Sequence, residues 1–184
     1  DVGIVCDTPR LRREKCRYGT SNMTKGPAMT REDAVFAMET GIRMAEELKE
    51  KGYRILAAGE TGIGNTTTSA ALSSVLLGVD PIEVTGRGSG LSDEGYARKL
   101  DAVRRAIEIN APDPDDPLGV LSRVGGLDIA ALSGLFLGGA ACRIPVVADG
   151  MITLTAALIA VRIAPMCRPY ILPSHVSDEP AVQA

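Results

Sequence analysis

The sequence predicts an α/β fold: a doubly wound parallel sheet covered by helices. Three observations carry this reading. Short apolar runs alternate with longer stretches of helical periodicity, polar glycine-rich segments follow the apolar runs, and the apolar inventory is aliphatic. Only 3% of residues are aromatic and Trp is absent, so the core falls to Ala, Val, Ile and Leu, side chains that suit a parallel sheet buried by helices. At 184 residues the chain fits a single α/β domain with room for a substantial core.

In chain order, Val2–Val5 reads as a first strand. The polar stretch from Thr8 to Met29 lacks periodicity and reads as loop with one helical turn. Thr30 is an N-cap, with Glu32 and Asp33 placed to favour the helix dipole. Val35, Met38, Ile42, Ala45 and Leu48 then form a helical stripe that ends at Gly52. Arg54–Gly59 is a short buried strand running into Glu60–Thr68, and a helix of small residues spans Thr66 to Leu77. Strand, glycine-rich turn and helix make the βα unit of a doubly wound sheet. Ile82–Val84 reads as the next strand, followed by the Thr85–Gly90 loop and a helix capped by Ser92 and marked by Tyr96, Leu100, Val103 and Ile107. Asn110–Pro117 holds three Pro and three Asp, a surface loop. Helices are predicted over Pro117–Val124 and Asp128–Cys142, a strand over Ile144–Ala148, and an apolar helix over Met151–Ile163. Cys167–Leu172 reads as a last strand, weakened by Arg168-Pro169 and Leu172-Pro173, before Ser174–Ser177. On this reading Glu60–Thr68, Thr85–Gly90, Asp149-Gly150 and Ser174–Ser177 each follow a strand and gather at the carboxyl edge of the sheet, where open α/β proteins bind ligands.

Charge and cysteine usage narrow the function classes. A net charge of −3 and a pI near 5.3 give no electrostatic footprint for nucleic acid or an anionic membrane. The basic cluster Arg10–Arg17, interrupted by Glu14, reads as solvated surface. Cys6, Cys16, Cys142 and Cys167 lack CxxC spacing, and His175 is the single histidine, so no metal set is expected and reduced thiols in a cytoplasmic protein are. The apolar run Met151–Val161 falls short of the roughly 20 residues of a membrane helix.

The Gly59–Thr68 loop is the strongest local signal. Its glycines admit close backbone approach, and the helix that follows offers free amides to an anion. It lacks the Lys-Ser/Thr of a P-loop and the spacing of GxGxxG, so phosphate or sugar binding and a tight structural turn both remain open. Arg87 among Gly86, Gly88 and Gly90, with Lys99 two turns into the next helix, suits a phosphate; Arg98 and Lys99 suit a solvated helix face as well. Glu60 and Asp149 follow buried strands, where a carboxylate orients a ligand hydroxyl, moves a proton, or simply caps a loop. His175 between serines suggests a hydrolase, but no GxSxG elbow and no orienting acid are evident.

Six segments carry a more specific signal: YGTSNMTKGPAMTREDA, GETGIGNTTTSAAL, VTGRGSGLSDEGYARK, VGGLDIAALSG, PVVADGMITLTAAL and PSHVSDEP, ordered from Tyr18 to Pro180. In this order they resemble the nicotinate-nucleotide–dimethylbenzimidazole phosphoribosyltransferase family of the cobalamin pathway. The resemblance implies a Rossmann-like parallel sheet with helices on both faces. It also implies a small helical domain, built from both chain ends and mostly absent from residues 1–184, a nucleotide-binding core incomplete at both ends. The implied reaction transfers phosphoribose from nicotinate mononucleotide to 5,6-dimethylbenzimidazole, giving α-ribazole 5′-phosphate and nicotinate with inversion at the sugar carbon. A homodimer is implied, and no metal or organic cofactor.

By the same resemblance Glu60, Gly62 and Asn65 border ribose and phosphate, Gly86 and Gly88 form a second loop, Lys99 contacts the phosphate, and Ser174, His175 and Ser177 lie near it; Gly64, Thr66 and Asp149, from their loop and strand-end positions, complete the expected substrate site. Thr61 stands where the family usually has Met and Met151 where Phe is common. The family's general base is a Glu expected beyond Ala184, and part of its azole pocket is expected before Asp1, so the resemblance assigns no catalytic base within residues 1–184 and implies that these residues alone turn over no benzimidazole. The other readings are a non-catalytic nucleotide- or azole-binding homologue or split subunit, and a generic nucleotide-sugar enzyme of the same fold. The preferred base, whether dimethylbenzimidazole, another azole, adenine or a phenol, is not written in these residues.

Overall fold

Thr30 opens the first helix, α1 (Arg31–Glu50), as its position predicts. Its hydroxyl accepts from the Asp33 amide, and the Asp33 carboxylate accepts from the Thr30 amide, closing a capping box. The computed structural model describes residues 11–184; the predicted strand Val2–Val5 lies outside the described residues. The buried stripe of α1 is Ala34, Ala37, Met38, Gly41 and Ala45, whereas Val35 is exposed. The helix is thus rotated from the expected apolar stripe toward its smaller residues.

The reason lies across the interface. α1 packs along α6 (Leu127–Cys142), and glycines on both helices meet backbone. A Cβ on Gly41 would fall 1.9 Å from the Ala131 carbonyl oxygen, and one on Gly134 would fall 1.9 Å from that of Met38. Small residues let the axes approach more closely than large apolar ones would, and close packing then excludes anything larger.

The sheet is short. β1 (Leu56–Ala58), β2 (Val146–Ala148) and β3 (Ile171–Pro173) lie in that order, all parallel, with Leu56 beside Val146 and Val146 beside Ile171. Leu56, Ala58, Val146 and Ala148 are buried on one face, and Ala57 on the other face is exposed. The flanking helices are α2 (Thr66–Leu77), α4 (Asp93–Asn110), α5 (Pro117–Val124), α6 and α7 (Gly150–Ile163). Leu72, Leu76, Leu121, Ile129, Phe136 and Ile159 fill the space between them and are fully buried, each such side chain contributing about 1.5–3 kcal/mol. The chain is a mixed α/β domain in which a small parallel sheet is flanked by helices.

Two predicted strands are corrected. Ile82–Val84 belongs to a one-turn helix, α3 (Pro81–Val84), because Asp80 accepts from the Ile82 amide while Glu83 accepts from the Asp80 amide at 3.1 Å, with Pro81 in the first turn. Asp-Pro-x-Glu is a helix-start signature, and it outweighs the β-branched residues that follow. Cys167–Leu172 is mostly a 3₁₀ helix (Pro165–Tyr170), and only Ile171–Pro173 pairs with β2. Pro165 presets the first turn, and Pro173, which has no amide to donate, sits on the last strand of the sheet order. The Thr85–Gly90 loop therefore follows a helix rather than a strand. A last short helix, α8 (Pro180–Gln183), packs against α3.

Cys16, Cys142 and Cys167 are free thiols, and Cys6 lies outside the described residues. Among the described residues no helix is long and apolar enough to cross a membrane, and no cluster of three or more His, Cys, Asp or Glu could hold a metal ion.

Candidate functional site

The carboxyl ends of β1, β2 and β3 deliver Gly59, Asp149 and Ser174 to one edge. The Ser174 amide extends the parallel pairing by donating to the Ala148 carbonyl at 3.0 Å. Beside these strand ends, α2 begins. Its N-cap, Asn65, is 5% exposed, yet its side chain does not cap the helix. Nδ2 donates to Asp128 at 2.7 Å, and Oδ1 is buried without a partner. The first-turn amides of Thr66, Thr67 and Thr68 consequently lack a side-chain acceptor, the arrangement that welcomes an anion at a helix start. Gly62 and Gly64 take positive φ values of 82° and 79°, a backbone path that other residues adopt only with strain. The exposed Glu60 carboxylate accepts from the Gly62 amide inside this turn.

The loop after α3 meets the start of α2 through Lys99. The Lys99 side chain is 7% exposed, donates to the Gly86 carbonyl at 2.8 Å and donates to the Thr66 hydroxyl at 3.0 Å. Gly88, at φ 54°, sits so near that a Cβ would lie 3.3 Å from Thr66 Oγ1 and 3.7 Å from Lys99 Nζ. Burial pushes the Lys99 pKa down from its ordinary value, and the charge of Glu179 pushes it back up. Arg98, one position earlier, faces solvent and lies 3.9 Å from Glu94. The solvated-surface reading thus holds for Arg98 alone. Arg87 lines the same region but is engaged by its own loop, donating to Asp93 at 2.6 Å and to the Leu91 carbonyl at 2.9 Å.

A third group forms at the ends of β2 and β3. The Ser174 hydroxyl donates to Asp149 at 2.9 Å and lies 2.8 Å from His175 Nδ1, which is itself 3.4 Å from Asp149. An acid therefore does stand beside His175, although nothing in the sequence pointed to it. Ser and Asp share one ring nitrogen, whereas a nucleophilic triad places them on opposite nitrogens. The geometry accordingly gives no hydrolase relay. Asp149 precedes α7 without capping it, so its carboxylate serves the loop rather than the helix.

Two cavities divide these residues. A cleft of about 790 Å³ is lined by Thr85, Gly86, Gly88, Tyr96, His175, Ser177 and Glu179. A second, of about 580 Å³, lies on the other side of the α2 start and is lined by Glu60, Gly64, Asn65, Thr68, Asp128 and Arg17. Thr66 and Lys99 stand between the glycine-rich loops. Asp128, Tyr96 and Glu179 went unnoticed as site residues in the sequence; Glu179 lies two residues past Ser177, and the burial of its Oε2 is a tertiary property with no local sequence signal.

The phosphoribosyltransferase family model matches residues 1–184. The nicotinate-nucleotide–dimethylbenzimidazole phosphoribosyltransferase of Ruminiclostridium cellulolyticum is 54% identical over 182 residues, covering 98% of this chain and 52% of that protein. The enzyme of the same name from Acetivibrio thermocellus is 52% identical over the same shares. The crystal structure of CobT from Thermus thermophilus superposes with a TM-score of 0.93 at 41% identity, covering 100% of this chain and 55% of that one. The chain spans about half the length of the curated relatives it matches.

Proposed function

The chain belongs to this phosphoribosyltransferase family, and from that premise we propose that it supplies the nucleotide-binding core of an enzyme that transfers phosphoribose from nicotinate mononucleotide to 5,6-dimethylbenzimidazole. The products are α-ribazole 5′-phosphate and nicotinate, the lower-ligand precursor of cobalamin being the first. The observation that carries this reading is the buried Lys99 ammonium, held between Thr66 of one glycine-rich loop and Gly86 of the other.

In this proposal the phosphate sits over Lys99 and the first-turn amides of α2, with Gly62, Gly64, Gly86 and Gly88 permitting close backbone approach. Ser174, His175 and Ser177 close the phosphate side; Glu60, Asn65 and Asp149 face the ribose. The pyridinium leaves as neutral-ring nicotinate, so the leaving group needs little activation, and the work of these residues is alignment of the sugar carbon with the incoming nitrogen. The attacking azole nitrogen gains positive charge as its bond forms, and a carboxylate that accepts the ring proton contributes on the order of 10²–10⁴-fold. Two copies pair in the proposed assembly, in a cytoplasmic setting.

The test is an assay for α-ribazole phosphate with both substrates, beside titration of nicotinate mononucleotide into the natural full-length chain. Lys99→Ala is expected to raise the nucleotide Kd by about tenfold or more, the worth of a charge-assisted phosphate contact. Unchanged affinity at low salt removes Lys99 from the site. Nucleotide binding without turnover of any azole points instead to a non-catalytic binding homologue.

A further inference from the structure

The cleft beside Lys99 holds a carboxylate that the proposed chemistry does not use. Glu179 Oε2 is buried and takes no hydrogen bond, although an ionised carboxylate can accept several and its burial without partners is costly. The oxygen lies directly against the glycine-rich loop, since a Cβ on Gly86 would fall 1.9 Å from it. The same Gly86 accepts from Lys99 through its carbonyl at 2.8 Å. Carboxylate and ammonium thus meet one residue of backbone from two elements, the segment before α8 and the body of α4.

The other charged groups around this cleft are occupied or turned away. Arg87 is engaged by Asp93 and lies 5.2 Å from the ring of Tyr96, whose phenol is common to every variant compared, His175 lies against Ser174 and Asp149, and Asp178 is exposed. Glu179 is the acidic group that acts on Lys99, in the direction that keeps it charged. An ammonium has three N–H donors; two engage Thr66 and Gly86, leaving one for a ligand.

We infer that Glu179 is a positioning residue of the phosphate subsite, seating the Gly86 loop and serving as the counter-charge that holds Lys99 as an ammonium ready for phosphate. The inference rests on the nucleotide reading above and deepens it. Without Glu179, burial would act on Lys99 unopposed, and the ammonium would lose its proton at lower pH. Removing a carboxylate near the phosphate also lessens repulsion, which offsets the weaker support of the ammonium, so affinity at neutral pH should hold.

The experiment is calorimetric titration of nicotinate mononucleotide into the natural full-length chain from pH 7 to pH 10, for wild type, Glu179→Gln and Glu179→Asp. For Glu179→Gln the expected Kd at pH 7 lies within about threefold of wild type, the usual scale of a solvent-screened charge effect. Its alkaline loss of affinity sets in at lower pH, reaching about tenfold for each unit past the Lys99 titration. Glu179→Asp keeps the charge and follows wild type. Superimposable wild-type and Glu179→Gln profiles overturn the inference, as does equal weakening of both variants at every pH, which marks a purely structural role. If Glu179→Gln does not fold, Glu179→Asp carries the test: a wild-type profile supports the inference, and an early alkaline loss overturns it. Absence of wild-type binding at every pH rejects the nucleotide reading itself, and the inference falls with it.

Discussion

Gly86 is where the residue-scale argument is sharpest. Ala at this position would drive a methyl group to 1.9 Å from Glu179 Oε2 and 3.0 Å from Pro180 Cδ. The nearer atom is the tip of a flexible side chain, so relief comes by swinging Glu179 away rather than by shifting backbone. Gly86→Ala is therefore expected to cost less than about 1 kcal/mol of stability, in the range of a site that can relax. Nucleotide affinity should fall by about tenfold, because the added methyl stands on the loop whose bare backbone the proposed phosphate approaches. A denaturation midpoint measured beside a nucleotide titration separates the two effects; a large stability loss with normal affinity would refute this division of roles. Arg98 and Lys99 show why the sequence could go only so far here. Both are long cations in one helix, and only the rotational phase of α4 against α2 buries the second while leaving the first in water.

Among the elements, the caps were the most legible feature and also the source of the main error. The Thr30 cap was readable because its chemistry is local, and the structure adds the reciprocal bond from the Thr30 amide to Asp33. Burial tends to raise the Asp33 pKa, but the Thr30 amide, the Arg17 guanidinium at 3.0 Å and further hydrogen bonds outweigh it and hold the carboxyl below its ordinary 3.8. A carboxyl lowered on folding stabilises above the pKa it has when unfolded, and that contribution is lost as pH falls through the folded value. Asp33→Asn should thus cost about 1 kcal/mol at pH 7, a typical cap contribution, and the gap to wild type should close toward pH 2. Urea denaturation at both pH values checks this, and a gap that persists in acid would mean that the charge is irrelevant. At Asp80-Pro81-Ile82-Glu83 an equally local capping box overrides the strand preference of Ile82 and Val84.

At the scale of the molecule, the seam between α1 and α6 decides how the domain closes. Gly134 meets the Met38 carbonyl, and Gly138 would place a Cβ 2.8 Å from Ile42 Cα. These obstacles are backbone atoms and cannot rotate away. Gly134→Val is expected to destabilise by about 3 kcal/mol, the upper end of ordinary overpacking, despite the better helix propensity of Val over Gly. A chemical denaturation curve reads this directly; a neutral or stabilising result would mean that the helices separate at little cost.

The sequence by itself determined the α/β class, the longer helices, the glycine-rich loops and the family, because capping, periodicity and turn chemistry act over a few residues and six ordered segments are highly specific. Tertiary structure decided what required distance in space. It set Thr85–Gly90 beside the sheet edge although a helix precedes it, and chose Lys99 over Arg98. It also put Asp149 beside Ser174 and His175 from 25 residues away, and pressed Glu179 onto Gly86. Such meetings depend on how closely helices and strands pack, and in this chain that closeness is set by glycines whose neighbours lie far along the sequence.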